Sequence, residues 1–337
     1  MSRNKGLIIL SCICLASITG ISTYFWLSSD NSVEDNGDSD DKDNTRIVNT
    51  PLLQTNYCII DHNCARLESL KSIPIGWINA AKANLNIAYG HTSHGSQLTS
   101  GMANLDAFMG GNNIYIYGAD GGGDDTKLEF YDYSGGFGGT LTTTTARDLG
   151  NPSDDAWAAA TEEYLDHPSN PGTNVIMWSW CNIGGHDINT YITHMEYLIS
   201  AYSAGGSKGR TKASEVIFIF MTGHVDGEGI GGTNNLQNEI IRDHCKTNNR
   251  TLFDFADIES YDPDDNYFLD RNVNDNCNYD GGNWATEWQT THNGVDTEPN
   301  GGEWYSCSSA HSEPLNANLK AYACWYLYAI LAGWNGY

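Results

Sequence analysis

Apolar and polar positions alternate in blocks from residue 75 to residue 332. Short runs dense in β-branched, aliphatic and aromatic residues fall at 85–89, 114–117, 175–180, 216–221 and 252–255. They are too short for helices and, bounded by polar turns, read as buried strands. Apolar residues recur with helical spacing at 75–83, 97–109, 154–165, 188–203, 236–247 and 315–332. Alternation of this kind predicts a parallel sheet covered on both faces, because the crossover that joins two parallel strands is normally a helix. The expected fold class is α/β: a single doubly wound, flavodoxin-like, three-layer α/β/α domain with a parallel sheet and long elaborated loops.

Two stretches break the alternation. Residues 118–150 are rich in Gly and Thr, and residues 261–309 in Asp, Asn, Gly and Trp. Loops of such length inside a compact domain usually serve a function or lack order. Trp284, Trp288, Trp304 and Tyr305 would make them either a wall for a sugar-like or polymeric ligand or a satellite core over the sheet edge.

The amino-terminal part has a different pattern. Arg3 and Lys5 precede an uncharged, mostly apolar run from Gly6 to Leu27, and about 22 residues at about 1.5 Å each can span a bilayer core. Residues 1–27 therefore read as a signal peptide or an N-terminal membrane anchor, with the basic flank sending the rest outside. Cleavage near Gly20 or Ser22, no cleavage, and a lipoprotein cut before Cys12 all export the protein; the run before Cys12 is short for the last. Residues 28–50, acidic and nearly without large apolar side chains, read as a disordered linker. Residues 51–337 form the expected folded domain, secreted or held at the cell surface, touching membrane only through the N-terminal segment.

Charge narrows the partners. The chain carries 17 basic and 42 acidic residues, a formal net charge of −25. So acidic a surface excludes nucleic acid as a partner and repels anionic membranes. Cys58, Cys64, Cys181, Cys245, Cys277, Cys307 and Cys324 lie in the exported part. An oxidising compartment favours disulfides there, with Cys58/Cys64 and Cys277/Cys307 the expected pairs.

In an open α/β sheet, ligands bind beyond the carboxyl ends of the strands. The first strand delivers His91, Ser93, His94 and Ser96 to that edge, in a Gly-bracketed turn before a helix. The strand ending at Trp180 delivers Cys181, Asn182 and His186, and the strand ending at Met221 delivers His224 and Asp226. Ser308-Ser309-Ala310-His311-Ser312 stands at the threshold of the last helix. A Ser nucleophile needs a base within hydrogen-bond reach and donors for its oxyanion. Ser93, His311 and Asn182 can fill those roles.

The block Tyr89-Gly90-His91-Thr92-Ser93-His94-Gly95 resembles the first block of SGNH/GDSL-type serine hydrolases, most closely an exported branch reading Tyr-Gly-His-x-Ser-x-Gly. The resemblance covers most of residues 85–334. It implies Ser93 as nucleophile and His311 as general base, with Gly150 (within Asp148-Leu149-Gly150-Asn151-Pro152) and Asn182 as oxyanion donors. Two departures stand out: His91-Thr92 separate Gly90 from Ser93, and Ser308 occupies the place where the family's last block carries Asp. A carboxylate normally fixes the imidazole tautomer, so the site would work as a dyad, borrow Asp226 or another loop carboxylate, or be inactive.

The expected function is an extracellular serine esterase that removes O-acetyl or other acyl groups from a polysaccharide or glycoconjugate through an acyl-enzyme. His91, His94, His186, His224 and Asp226 are expected substrate contacts, and no cofactor is required. The alternatives are a catalytically silent carbohydrate-binding or cell-surface module on the same frame, and a metal-dependent hydrolase assembled from those histidines and Asp226. Asp262, Asp264, Asn266 and Asp270 place oxygens at alternate positions, as calcium loops do, but lack the Gly and closing Glu of an EF-hand. They read as either a structural calcium site or a solvated acidic turn.

Overall fold

The computed structural model describes residues 57–119, 126–138, 142–170 and 172–336; the expected leader at 1–27 and acidic linker at 28–50 lie outside them. Seven strands form one parallel sheet: β1 (Ile59–Ile60), β2 (Asn86–His91), β3 (Tyr117–Gly118), β4 (Leu128–Ser134), β5 (Val175–Trp178), β6 (Ile217–Met221) and β7 (Leu252–Phe253), in the order β1-β7-β6-β5-β2-β4-β3. The five central strands β4-β2-β5-β6-β7 follow the doubly wound order in which the first strand lies inside the sheet. Chain direction across the sheet reverses between β2 and β5, which pair directly through Ile87–Val175 to Gly90–Trp178.

Alternate strand residues leave opposite faces, and the side chains divide accordingly into two cores. Ile87 and Tyr89 of β2, Val175 and Met177 of β5, and Ile217, Ile219 and Met221 of β6 share a core with the short α1 (Leu67–Ser72), α2 (Ile75–Asn84), α3 (Ser96–Phe108) and α9 (Pro314–Leu331). Ala88, Ile176, Trp178, Phe218 and Phe220 face α4 (Ala156–Asp166), α5 (Ile188–Tyr202) and α6 (Thr233–Asn248). The three-layer α/β/α architecture follows from that split. Among the described residues no helix is long and apolar enough to cross a membrane.

Several elements depart from the sequence pattern. β4 lies in the stretch read as irregular; Glu129 and Asp132 interrupt its apolar run, although Glu129 is buried. The run at 252–255 divides because Asp254 caps the short helix α7 (Phe255–Glu259), accepting from the Asp257 amide. Residues 261–309 contain a small hairpin of β8 (Asn278–Tyr279) and β9 (Gly282–Asn283), followed by α8 (Trp284–Thr291). Their aromatics form a satellite core: Trp284 and Tyr305 are buried, Trp288 stacks on His292, and Trp304 Nε1 donates to the His292 carbonyl.

The expected disulfides are not formed. All seven described cysteines are free thiols, and each member of the two expected pairs has its own polar partner. Cys58 faces Thr251 Oγ1, Cys64 the Ile59 carbonyl, Cys277 Ser312 Oγ and Cys307 the Pro314 carbonyl.

α9 is buried along nearly its whole length and crosses α3 closely. A Cβ at Gly101 would lie 2.1 Å from the Ala317 carbonyl oxygen. Gly101→Ala should therefore force the two helices apart and lower stability by about 1–3 kcal/mol, measured by urea or thermal unfolding. An unchanged midpoint would mean that the crossing is loose enough to absorb a methyl group.

Candidate active site

The turn after β2 is shaped by its glycines. A Cβ at Gly90 would meet the Trp178 ring at 2.4 Å, and one at Gly95 would meet Ser179 Oγ at 2.2 Å and the Tyr89 hydroxyl at 2.7 Å. Tyr89 donates to the Gly95 carbonyl from below, at 3.0 Å. The turn is thereby pressed against the end of β5, and Ser93 and His94 come to Cys181 at the point where the winding reverses. This is the crevice where such sheets bind ligands.

The groups there form a chain. Ser93 Oγ lies 3.6 Å from Cys181 Sγ, Cys181 Sγ lies 3.6 Å from His94 Nδ1, and His94 Nε2 lies 3.0 Å from Asp275 Oδ2. A thiol, an imidazole and a carboxylate in this order are a nucleophile, a base and the group that orients the base. His94 is the middle ring of a stack, 4.1 Å from His224 on one side and 4.5 Å from His311 on the other.

Asp275 comes from the loop after β6 pairing with a loop far along the chain. Asp226 and Asn274 form an isolated bridge, Gly227 N–H donates to the Val273 carbonyl, and Asn274 Oδ1 accepts from the Asn276 and Asn278 amides. Asp226 thus contributes through its backbone, and its carboxylate accepts from the Glu228 amide.

The electrostatics favour an ion pair. The hydrogen bond with His94 draws the Cys181 thiol down to about 7 against its partial burial, aided by the Thr92 and Ser93 hydroxyls. Burial opposes a charge on His94, but Asp275 and Cys181 outweigh it and lift the imidazole to about 9. Burial likewise opposes ionisation of Asp275, and the bond to His94 nevertheless holds it below the usual carboxylate range. Between about pH 7 and 9 the pair is thiolate and imidazolium. Burial instead pushes Cys58 and Cys307 up to about 11, and Cys64, Cys277 and Cys324 up to about 12.

The structure brings Ser93 and His311 into this one crevice, joined through Cys181 and the His94 ring, with no hydrogen bond between them. The hydroxyl faces Cys181, and the ring of His311, exposed and at φ +60°, stacks on His94 without a hydrogen bond among the described residues. Gly150 N–H is committed to Asp148 Oδ1 at 2.9 Å, and Asp148 also accepts from Thr92 Oγ1. Asn182 is exposed; its Oδ1 accepts from the Gly184 amide, and its NH2 has no partner among the described residues.

Of the other expected contacts, His224 reaches the crevice and His91 and His186 do not. His91 is fully buried beneath the turn, with Nε2 2.6 Å from Asp132 and Nδ1 2.9 Å from the Thr92 carbonyl. His186 Nδ1 lies 2.6 Å from Asp154, and its ring covers Gly150. The five-residue metal set is therefore dispersed. The calcium quartet is not gathered either: Asp262 accepts from the Asp264 and Asn266 amides and from Asn266 Nδ2, forming a self-satisfied acidic turn. Donor atoms within 4.8 Å of one another occur instead, among the described residues, in His94–Asp275–His311 and Asp61–His62–Asp257.

Sequence reasoning missed Cys181 as a reactive group and Asp275 altogether. The position of Cys181 at a strand end, across from Ser93 and His94, was a usable signal. Asp275 sits in Asn274-Asp275-Asn276-Cys277, among many Asp and Asn residues, with nothing to single it out. Comparison of the chain with family models, with curated proteins and with solved structures finds no match.

Iodoacetamide at neutral pH should therefore alkylate Cys181 well ahead of the other six described cysteines, read by peptide mass spectrometry. Because the thiolate is the reactive form, the rate should rise through about pH 7 and level off above it. His94→Ala should move that rise upward by one pH unit or more; an unmoved profile would mean that the imidazole does not hold the thiolate.

Proposed function

We propose that the chain is an acyl hydrolase that works through a covalent acyl-enzyme in the β2/β5 crevice, with the Cys181 thiolate as nucleophile. The observation that carries this reading is the continuous Cys181–His94–Asp275 chain at the winding reversal. The thiolate forms a bond to the acyl carbonyl carbon, and the carbonyl becomes an oxyanion within reach of hydrogen bonds from the Ser93 hydroxyl and the unpartnered Asn182 amide. His94 gives its proton to the departing alkoxide as the ester bond breaks. It then takes a proton from water as the hydroxide attacks the thioester, and thiolate leaves. Asp275 keeps Nδ1 of His94 aimed at the sulfur throughout.

The acyl carrier is an O-acylated polysaccharide or glycoconjugate met outside the cell. That part rests on the expected apolar leader and the resemblance to SGNH hydrolases, which are associational grounds. A second reading keeps Ser93 as nucleophile and His311 as its base, as in SGNH esterases. It is favoured by the position of both residues in the one crevice and by the His311 ring having no hydrogen bond of its own.

Hydrolysis of acetylated and longer-acyl model esters separates the readings. Cys181→Ala should lower kcat/KM by at least about 10³-fold and Asp275→Asn by about 10²–10⁴-fold, while Ser93→Ala should cost about 10²-fold, the loss of one oxyanion donor. Full loss in Ser93→Ala with fluorophosphonate labelling at Ser93 would transfer the role to the serine. No turnover and no covalent labelling of either residue would leave a carbohydrate-binding surface module.

A further inference from the structure

His311 is held in an unusual way. A non-glycine side chain at φ +60° is strained by about 1 kcal/mol or more, and such strain persists where surrounding structure enforces it. Here the residue before it is pinned: Gln97, at the start of α3, donates from Nε2 to the Ala310 carbonyl at 2.6 Å. The residue after it is also pinned, Ser312 Oγ accepting from Asn316 Nδ2 at 2.7 Å. The strained residue is thus fixed at the lip of the crevice, and among the described residues its ring nitrogens have no hydrogen-bond partner.

We propose that His94 Nε2, Asp275 and His311 form a binding site for a divalent cation of the zinc type, and that the bound ion switches the crevice off. The binding half stands on this geometry alone; the switch rests on the acyl-enzyme reading. One ligand atom from each residue lies within 4.8 Å of the other two. Bonds of about 2.0–2.2 Å to a tetrahedral ion place donor atoms roughly 3.3–3.6 Å apart, so modest side-chain movements close the triad. Two imidazoles and one carboxylate suit zinc, and the fourth position stays open to water. Cys181 is not a member of the set, because its sulfur faces Nδ1, the other nitrogen of His94.

The consequence for chemistry follows from which nitrogen is taken. An ion on Nε2 replaces the bond to Asp275 and leaves the His94 ring neutral, with its proton on Nδ1. With Nε2 on the ion, the Nδ1 proton can leave only by forming an imidazolate, so the ring still donates a hydrogen bond to the sulfur but no longer gives its proton to the departing alkoxide, and ester turnover stops. The other cluster, Asp61–His62–Asp257, is a poorer candidate: His62 Nδ1 is already bonded to Asp257 at 2.6 Å, and Asp265 beside it is paired with the cationic Arg66.

The test is calorimetric titration of zinc chloride into the full chain, freed of metal with chelator, at neutral pH. Wild type is compared with His311→Gly, which suits the left-handed backbone and should fold, and with His62→Gln. Wild type should take up about one equivalent at this site, His311→Gly should bind at least about tenfold more weakly, and His62→Gln should match wild type. Zinc should also slow hydrolysis of a model ester at least about tenfold in wild type, reversed by EDTA, and much less in His311→Gly. Absence of binding to wild type, equal affinity in His311→Gly, or loss of binding in His62→Gln would overturn the site. Binding at His311 with unslowed ester turnover would overturn the switch. Failure of the acyl-enzyme reading appears separately, as esterase turnover retained by Cys181→Ala.

Discussion

One buried ammonium holds the crevice in shape. Lys320, fully enclosed on α9, donates to Glu259 at the end of α7 at 2.7 Å and to Gln97 at the start of α3, and lies 3.7 Å above the Phe255 ring. Burial pulls its pKa below the ordinary lysine range despite the facing carboxylate. Glu259 accepts from the Val225 amide beside His224, and Gln97 holds the Ala310 carbonyl beside His311. Three loops that carry crevice residues are therefore fastened to one charge pair. A buried pair of this kind adds little net stability over a well-packed apolar pair, but losing one member costs about 3–5 kcal/mol because the other is left unpaired. Its contribution is to geometry.

The geometry so fixed explains why a thiol, rather than the neighbouring hydroxyl, faces the base. The parallel sheet brings the ends of β2 and β5 side by side, and the Gly90 and Gly95 contacts bring the turn down onto β5. His94 follows Ser93 directly in sequence, yet its ring turns to the sulfur of the next strand. There the carboxylate of Asp275 holds one nitrogen and Cys181 the other. Ser93 stays on the far side of the sulfur, placed to donate to it or to an oxyanion.

The architecture was legible in the sequence because it depends on repeating patterns. The five strand runs and six helical stretches correspond to β2, β3, β5, β6 and β7 and to α2, α3, α4, α5, α6 and α9. What escaped was β4, where Glu129 and Asp132 break the apolar run, and the short elements within 261–309, whose stability comes from packing of Trp284 and Tyr305 rather than from local pattern. For the site, strand ends located Ser93, His94, Cys181 and His224 correctly at one edge. They could not show that His91 turns inward to Asp132 or that His186 pairs with Asp154, because side-chain direction at a turn is set by contacts with distant residues. Asp275 was invisible for the same reason: its role depends on a bridge between Asp226 and Asn274 that no spacing announces.

The position of Lys320 on the carboxyl-terminal helix also governs when the crevice comes into being. Its bond to Gln97 joins residues 223 positions apart, and loops of that length close late because their entropy must be lost before any contact compensates it. A nascent chain therefore emerges with its thiol, imidazole and carboxylate unaligned. Their final alignment waits on the docking of α9 against α3, which fixes the start of α3 and the His311 loop together through Gln97.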